Sequence, residues 1–437
     1  MGRKLSYHFI KTSKTFIDKK STKEQYRMTE KDFTRNRKLP FEALVLCMLK
    51  LLRRNLQLEL NSFFASLTST TKSITSSAFV QSRKKLKADL FYDLNKLIVS
   101  EYYTDNQEVV ELFKGHRLLA IDGSTVQLPL TEELKSLYGT FNNQHKTDDI
   151  IVGRVSVLYD VLNDIVLDGL LTPLDQGELT LSREHMKLTK KGDLIIMDRA
   201  YPSFESIYWM LNQGVDFLYR CKQNFSKPTK AFFDSGKNEA IVSIKPSQSG
   251  SFKDLPYRKD TELLVRFLRI ELESGEIEIL MSSLLNKQDY PYTDFKSLYF
   301  KRWQVEIFYN RFKNIIAVES FSGTTNQFIQ QEFNCALYMS NMQTILTQEA
   351  KELIDEKYKR RKYEYKVNTS LSLGFIRERL IEIYSSSKEP KDLLEELQQL
   401  FVKNVVPVRK GRKNKRKVDK FRRRTKPKQF KNRRLIL

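Results

Sequence analysis

The chain has 437 residues, of which 40% are hydrophobic and 11% aromatic, with only 15 Gly and 11 Pro and a formal charge of +23. That balance excludes a fibrous or largely disordered chain, allows two or three domains with a sizeable core, and predicts a polyanionic partner, either nucleic acid or an acidic membrane surface. Three separated cysteines (Cys47, Cys221, Cys335) and four histidines without ligand spacing (His8, His116, His145, His185) give no disulfide framework, zinc knuckle or His-based triad, and fit a reducing cytoplasm.

From the N-terminus, "MGRKLSYHFIKTSK" lacks the apolar core of a signal peptide, and its Gly2/Ser6 match to a myristoylation pattern has no second anchor beside it. No apolar run reaches the ~18 residues a membrane span needs. Residues 1–110 read as helical. "FEALVLCMLKLLRRNLQLELNSFFASL" has apolar residues at mixed spacings of three and four. In "SITSSAFVQSRKKLKADLFYDLNKLI", Thr75 to Ser77 can cap a helix that buries Phe79, Leu86 and Phe91 and turns out Gln81, Arg83, Lys84, Lys85 and Lys87. This face suits DNA, with a solvated charged surface as the alternative.

The character changes at His116. "HRLLAIDGSTVQLP" predicts a strand closed by Asp-Gly, and "IIVGRVSVLYDVLNDIVLDGLLTP" a hairpin turning at Asn163-Asp164. Next come a buried strand over Leu194–Met197, a helix stopped near Gly214 and a strand over Phe217–Arg220. Residues 223–292 read as a β-rich insertion before helices resume. The tail from Arg409 to Arg434 holds 16 Lys or Arg and one Asp, a net +15 that leaves about +8 for the rest of the chain. Such a run builds no core, and DNA backbone is its expected partner.

Chemistry is expected where Asp122 and Asp198 each follow an apolar strand, because neighbouring strands would set the two carboxylates side by side at one edge of the sheet. Like charges so placed call for a cation, and hard oxygen ligands favour Mg²⁺ or Mn²⁺. "SLYFKRWQVEIFYNRFKN" predicts a single helix whose Tyr299, Arg302, Glu306 and Lys313 share an arc of roughly 60°, while Phe300, Trp303, Ile307, Phe308, Phe312 and Ile315 pack the other sides. Glu306 there can complete a metal site beside phosphate-holding cations. The alternative is a salt bridge from Arg302 to Glu306 at i, i+4.

These segments together resemble the DDE transposases of insertion-sequence family 4. "IDGSTVQLP" and "MDRAYPSFESI" are similar to the family's two Asp motifs, with Ala200 where Gly is usual. "YFKRWQVEIFYNRFK" matches its Tyr-x2-Arg-x3-Glu-x6-Lys signature at every defined position. The resemblance covers roughly residues 70–345 and implies an α/β, RNase H-like catalytic core. A helical N-terminal DNA-binding region would precede it over residues 1–110. Core segments would span 111–222 and 293–350 around the insertion at 223–292, followed by a helical region at 351–407 and the basic tail from 408.

By the same resemblance, Asp122, Asp198 and Glu306 form the catalytic triad holding two Mg²⁺ or Mn²⁺ ions, and Tyr299, Arg302 and Lys313 contact DNA. Arg83, Lys84 and Lys85 are the further DNA-binding candidates from the N-terminal region. The implied activity is binding of terminal inverted repeats, cleavage of the element's ends and joining to target double-stranded DNA by phosphoryl transfer, with an end hairpin as one route. The implied assembly is a homodimer on the ends, in a bacterial, nucleoid-associated setting without membrane contact. Two other readings stay open: a different metal-dependent nuclease of the same fold, and an inactive, domesticated DNA-binding protein.

Overall fold

Apolar residues recurring at three and four positions, then at two, divide this chain into helices at its ends and a sheet in its middle. The computed structural model describes residues 5–35, 37–68, 73–105, 107–140, 150–247, 255–385 and 390–409. It resolves into two compact units. One comprises Met1–Glu108, Thr125–Gly153 and Asn310–Leu437; the other comprises Val109–Ser124 and Arg154–Tyr309.

In chain order the elements begin with α1 (Leu5–Asp18), α2 (Lys20–Tyr26), α3 (Phe41–Leu49), α4 (Leu56–Thr68), α5 (Ser76–Arg83) and α6 (Asp89–Asp105). There follow β1 (Arg117–Leu128), α7 (Glu132–Tyr138), β2 (Ile151–Asp160), β3 (Ile165–Thr172), α8 (Glu178–Met186), β4 (Asp193–Met197), α9 (Phe204–Gln213) and β5 (Asp216–Cys221). Next are α10 (Lys227–Asp234), β6 (Glu239–Ile244), β7 (Leu263–Glu271), β8 (Ile277–Ser282), α11 (Asp294–Phe300) and α12 (Trp303–Asn314). The chain continues through α13 (Asn326–Tyr358), β9 (Glu364–Val367), α14 (Thr369–Ser385), α15 (Pro390–Lys403) and β10 (Val405–Val408).

The first unit is organised around α13. Every residue from Gln331 to Gln343 is buried, so this stretch is enclosed on all sides, as a central helix must be; α1, α3, α6, α14 and α15 surround it. Burying polar residues all round requires partners. Tyr338 donates to Ser13 at 2.8 Å, Asn341 to Asn95 at 2.8 Å and Gln343 to Ser372 at 2.8 Å. As read from sequence, Thr75 caps α5 by accepting from Ala78 N, and Phe79, Leu86 and Phe91 are buried. The basic stretch after α5 is a turn that leads into α6 rather than a continuation of the helix. The three cysteines are free and buried.

The second unit carries the sheet, ordered β3-β2-β1-β4-β5-β8-β7-β6. Strands β1, β4 and β5 run parallel, and the outer pairs are antiparallel. Leu118–Ile121, Leu194–Met197 and Phe217–Tyr219 are wholly enclosed, which is why the central strands read as unbroken apolar runs. The expected hairpin is present: Asp160 accepts from the amides of Leu162 and Asn163, and Asp164 takes the left-handed φ of 56° that closes the turn onto β3. Ser203 caps α9, and Gly214, at φ 66°, ends it. The β-formers of the 223–292 segment extend this sheet, since β8 pairs with β5.

One contact sets the register of the two central strands. Arg117 grips Asp193 with two bonds of 2.7 Å at the first residues of β1 and β4, and these two are Cα partners. Pairing then runs through Ala120↔Ile196. Arg117→Lys keeps the charge but loses the planar fork. We expect it to lower stability by about 1–2 kcal/mol, read as a shift in the urea midpoint of the full chain.

Candidate active site

The same register carries the geometry of the site. Ala120↔Ile196 is the last pair of that ladder, and two residues beyond it stand Asp122 on β1 and Asp198 just past β4, near enough that both act on Arg302 and Tyr201. Asp122 is not at a strand end as expected, because β1 continues to Leu128; the end that matters is that of its pairing with β4. Tyr309 holds this point of the strand by donating to the Asp122 carbonyl at 2.7 Å.

The expected single helix at Ser297–Asn314 is two. α11 ends at Phe300, Lys301 and Arg302 form a turn, and α12 starts at Trp303. The break separates Tyr299 from Glu306 and Lys313, so the four do not share one helical face. The turn also leaves Phe300, Trp303 and Ile307 exposed (69%, 47% and 58%), where the helical-arc reading buries them. Tyr299 and Arg302 are buried.

Tyr299 donates to Asp198 Oδ1 at 3.3 Å, and Arg220 on β5 approaches the same oxygen at 4.0 Å. Arg302 bonds Glu306 Oε1 at 2.9 Å, so the salt bridge weighed as the alternative is present. Burial works against the Arg302 charge, but Tyr299, Asp122, Glu306 and Asp198 outweigh it and raise its pKa. One arginine thus stands as the counter-ion among all three acids of the expected triad.

Asp122 itself is poorly compensated. Burial pushes its pKa up to about 6; Arg302 and the Gly123 amide oppose this, and Glu306 and Glu178 add to it. The sign follows from linkage. A carboxyl raised from 3.8 costs nothing below that pH, where both folded and unfolded states are protonated, and its full cost appears above about 6. Metal-free protein should therefore lose stability relative to Asp122→Asn as pH rises from 4 to 7, by at most about 3 kcal/mol. Paired denaturation curves at the two pH values check it; a constant difference would refute it.

Sequence reasoning misses three residues here. Glu178, the first residue of α8, is bonded by Arg154 Nη1 at 2.7 Å. The Tyr201 side chain is buried, and its hydroxyl has no hydrogen-bond partner. Burial pushes that phenol's pKa up, reinforced by Asp122, Glu178 and Asp198. Tyr201 lies inside the quoted "MDRAYPSFESI", but Arg154 and Glu178 stand 24 positions apart with nothing local to connect them.

Among the described residues, no group of three or more His, Cys, Asp or Glu is arranged to hold a metal ion as it stands. The expected triad is therefore not a preformed cage, and Glu306 is bonded to Arg302 instead. The donor set still fits a hard divalent cation. It is all carboxylate, Asp122 lacks full compensation, and an orphaned phenol lies among the acids.

The remaining candidates lie in the first unit. Arg83 is a correction: it is 1% exposed, and its guanidinium donates to Gln331, Ser322, Glu332 and the Phe328 carbonyl. It cannot reach phosphate while so engaged. Lys84 is exposed, and Lys85 is half-buried and 3.5 Å from Asp32. Lys313, the last residue of the signature, sits half-buried on α12 two turns after Glu306. The basic residues of the tail beyond Arg409 lie outside the described residues.

Asp122, Asp198 and Glu306 thus gather where the parallel pairing of β1 with β4 ends, with Arg302 and Arg220 beside them. A family model described as the transposase DDE domain matches residues 113–342, and the chain belongs to that family. It is a metal-dependent DNA transposase. Among its relatives, the transposase for insertion sequence element IS231F of Bacillus thuringiensis subsp. israelensis is 20% identical over 355 residues, 70% of this chain and 71% of the relative. The transposase for IS231B of subsp. berliner is 21% identical over 341 residues, 65% and 67% of the two chains. The piggyBac transposase synaptic complex with hairpin DNA aligns over 92% of this chain and 80% of that one, at 9% identity and a TM-score of 0.39, too loose a likeness to define the fold.

Proposed function

We propose that the chain is the transposase of an insertion sequence of family 4, which binds the element's terminal inverted repeats, cleaves them and joins them to target double-stranded DNA. The observation that carries this reading is the gathering of Asp122, Asp198 and Glu306 about Arg302, just past the last pair of the β1–β4 ladder, in a chain that matches the DDE domain. Asp122, Asp198 and Glu306 would hold Mg²⁺ or Mn²⁺ as two ions. When bound, these ions would activate water or a 3′-hydroxyl and stabilise the oxygen that leaves phosphorus. Glu306 would be delivered to that role when Arg302 exchanges it for a DNA phosphate, whose two free oxygens can accept both arms of the planar guanidinium fork. Tyr299 and Arg220 fix the Asp198 carboxylate meanwhile. Lys313, Lys84, Lys85 and the basic tail add phosphate contacts that position the duplex without reading sequence. A pair of chains on paired ends, an RNase H-like core and a hairpin route belong to the same reading.

The test uses purified full-length protein, DNA carrying the inverted repeats that flank its gene, and Mg²⁺ or Mn²⁺. Cleavage at the repeat boundary that EDTA stops supports the reading. Equal cleavage of DNA without the repeats would favour a general nuclease, and binding without cleavage would favour an inactive DNA-binding protein.

A further inference from the structure

Glu178 is an acid near Asp122 that the triad does not use. It stands beside Gly123, where a Cβ would lie 3.0 Å from Glu178 Oε1, so a side chain after Asp122 would press this carboxylate back by a few tenths of an ångström. That same oxygen is the one Arg154 holds at 2.7 Å. The arrangement repeats the pairing of Glu306 with Arg302: an acid beside Asp122, kept by an arginine. The Glu178 side chain is 40% exposed, so it can change partners without opening the core.

Tyr201 supplies an independent observation. It is 2% exposed, follows Asp198 in a turn in which its amide donates to the Asp198 carbonyl at 3.1 Å, and turns a buried, unpartnered hydroxyl toward Asp122, Glu178 and Asp198. A buried hydroxyl left unpaired is costly, and such a group is normally satisfied by water or a bound species. Its surroundings are three acceptors, none within hydrogen-bonding reach. A hydrated cation held by these acids would bring a water that the phenol could bond.

We propose that Glu178 is a fourth carboxylate of the cation site, binding a divalent ion together with Asp122 after release from Arg154, with the Tyr201 hydroxyl orienting that ion's water. The proposal rests on the carboxylate–metal reading of Asp122 given above. Arg154 and Arg302 then act as paired counter-ions that keep the acids apart in metal-free protein.

The test is Mn²⁺ binding to the full-length chain without DNA, followed by the electron paramagnetic resonance of free Mn²⁺, with circular dichroism to verify folding. Glu178→Gln should weaken binding at least about tenfold, within the range typical of residues that support a metal site. Glu178→Asp, which keeps the charge but withdraws the oxygens, should weaken it too; wild-type binding in this variant would reduce Glu178 to a distant charge and overturn the proposal. Arg154→Gln frees Glu178 and should leave Mn²⁺ binding equal or tighter; weakening equal to that of Glu178→Gln would mean that the pair is only a structural brace. Asp122→Asn separates the two readings. If it weakens Mn²⁺ binding and Glu178→Gln does not, the fourth ligand falls and the triad stands; if it has no effect, both fall.

Discussion

Replacing Asp122 or Asp198 by Asn, or Glu306 by Gln, should lower strand cleavage on the order of a thousandfold or more while leaving binding of the end sequence within a fewfold of wild type. The asymmetry comes from what these side chains do. Each replacement is a neutral isostere, so the strands keep their register, and Arg302 still has an amide oxygen to bond in the Glu306→Gln variant. Under the proposed function, what is lost is negative charge at the place where divalent cations would concentrate to stabilise a phosphoryl-transfer transition state. Under the same proposal, binding would rely on basic side chains instead, and removing acids from among them would not weaken attraction to DNA. Cleavage assays and gel shifts on the same preparations separate the two effects. Wild-type cleavage in any of the three would remove that residue from the triad, and loss of binding in all three would show that the acids shape the DNA surface.

Arg83→Ala should destabilise the first unit by about 3–5 kcal/mol, enough to cost much of the soluble protein. The guanidinium lies over the Phe328 ring at 4.2 Å and bonds Glu332 at 3.0 Å, and Arg53 reaches the same glutamate at 3.4 Å. Removing Arg83 leaves Glu332 half compensated in a low-dielectric site, and leaves Gln331 Oε1 and the Phe328 carbonyl without this donor. Arg83→Lys should recover only part of the loss, because one ammonium cannot reach four acceptors set around a planar fork. Lys84→Ala, one residue on and exposed, should leave the denaturation midpoint unchanged. If Lys84 contacts phosphate, that variant flattens the salt dependence of DNA binding by about 0.9 in slope. An Arg83→Ala protein of normal stability would return Arg83 to the list of DNA contacts.

The contrast between these neighbours shows where sequence reading reaches. Short-range patterns are legible: the apolar runs ending near Asp122 and Asp198, the Asn163-Asp164 turn, Thr75 as a cap and Gly214 as a stop all act over a few residues. Arg83 is misread from sequence because what buries it comes from α13, about 250 positions away, and a helical wheel drawn on α5 contains no trace of that partner. The joint at Lys301–Arg302 escapes because no Gly or Pro marks it; a rotation of about 100° per residue is carried through a point where the helix restarts. Glu178 is invisible for a third reason. Its meaning lies in the missing side chain of Gly123 and in a guanidinium on β2, and neither leaves a spacing to read.

The three enclosed thiols give this protein a built-in stopwatch. Burial pushes Cys47 up to about 12 and raises Cys221 and Cys335 as well, so alkylating reagents find almost no thiolate until the chain opens. Cys47 and Cys335 belong to the first unit and Cys221 to the second. Labelling kinetics followed by mass spectrometry of the three peptides therefore time the opening of each unit separately in unmodified protein. Added Mn²⁺ should lengthen the clock at Cys221, on the strand next to β4, by the factor with which the ion favours the closed second unit.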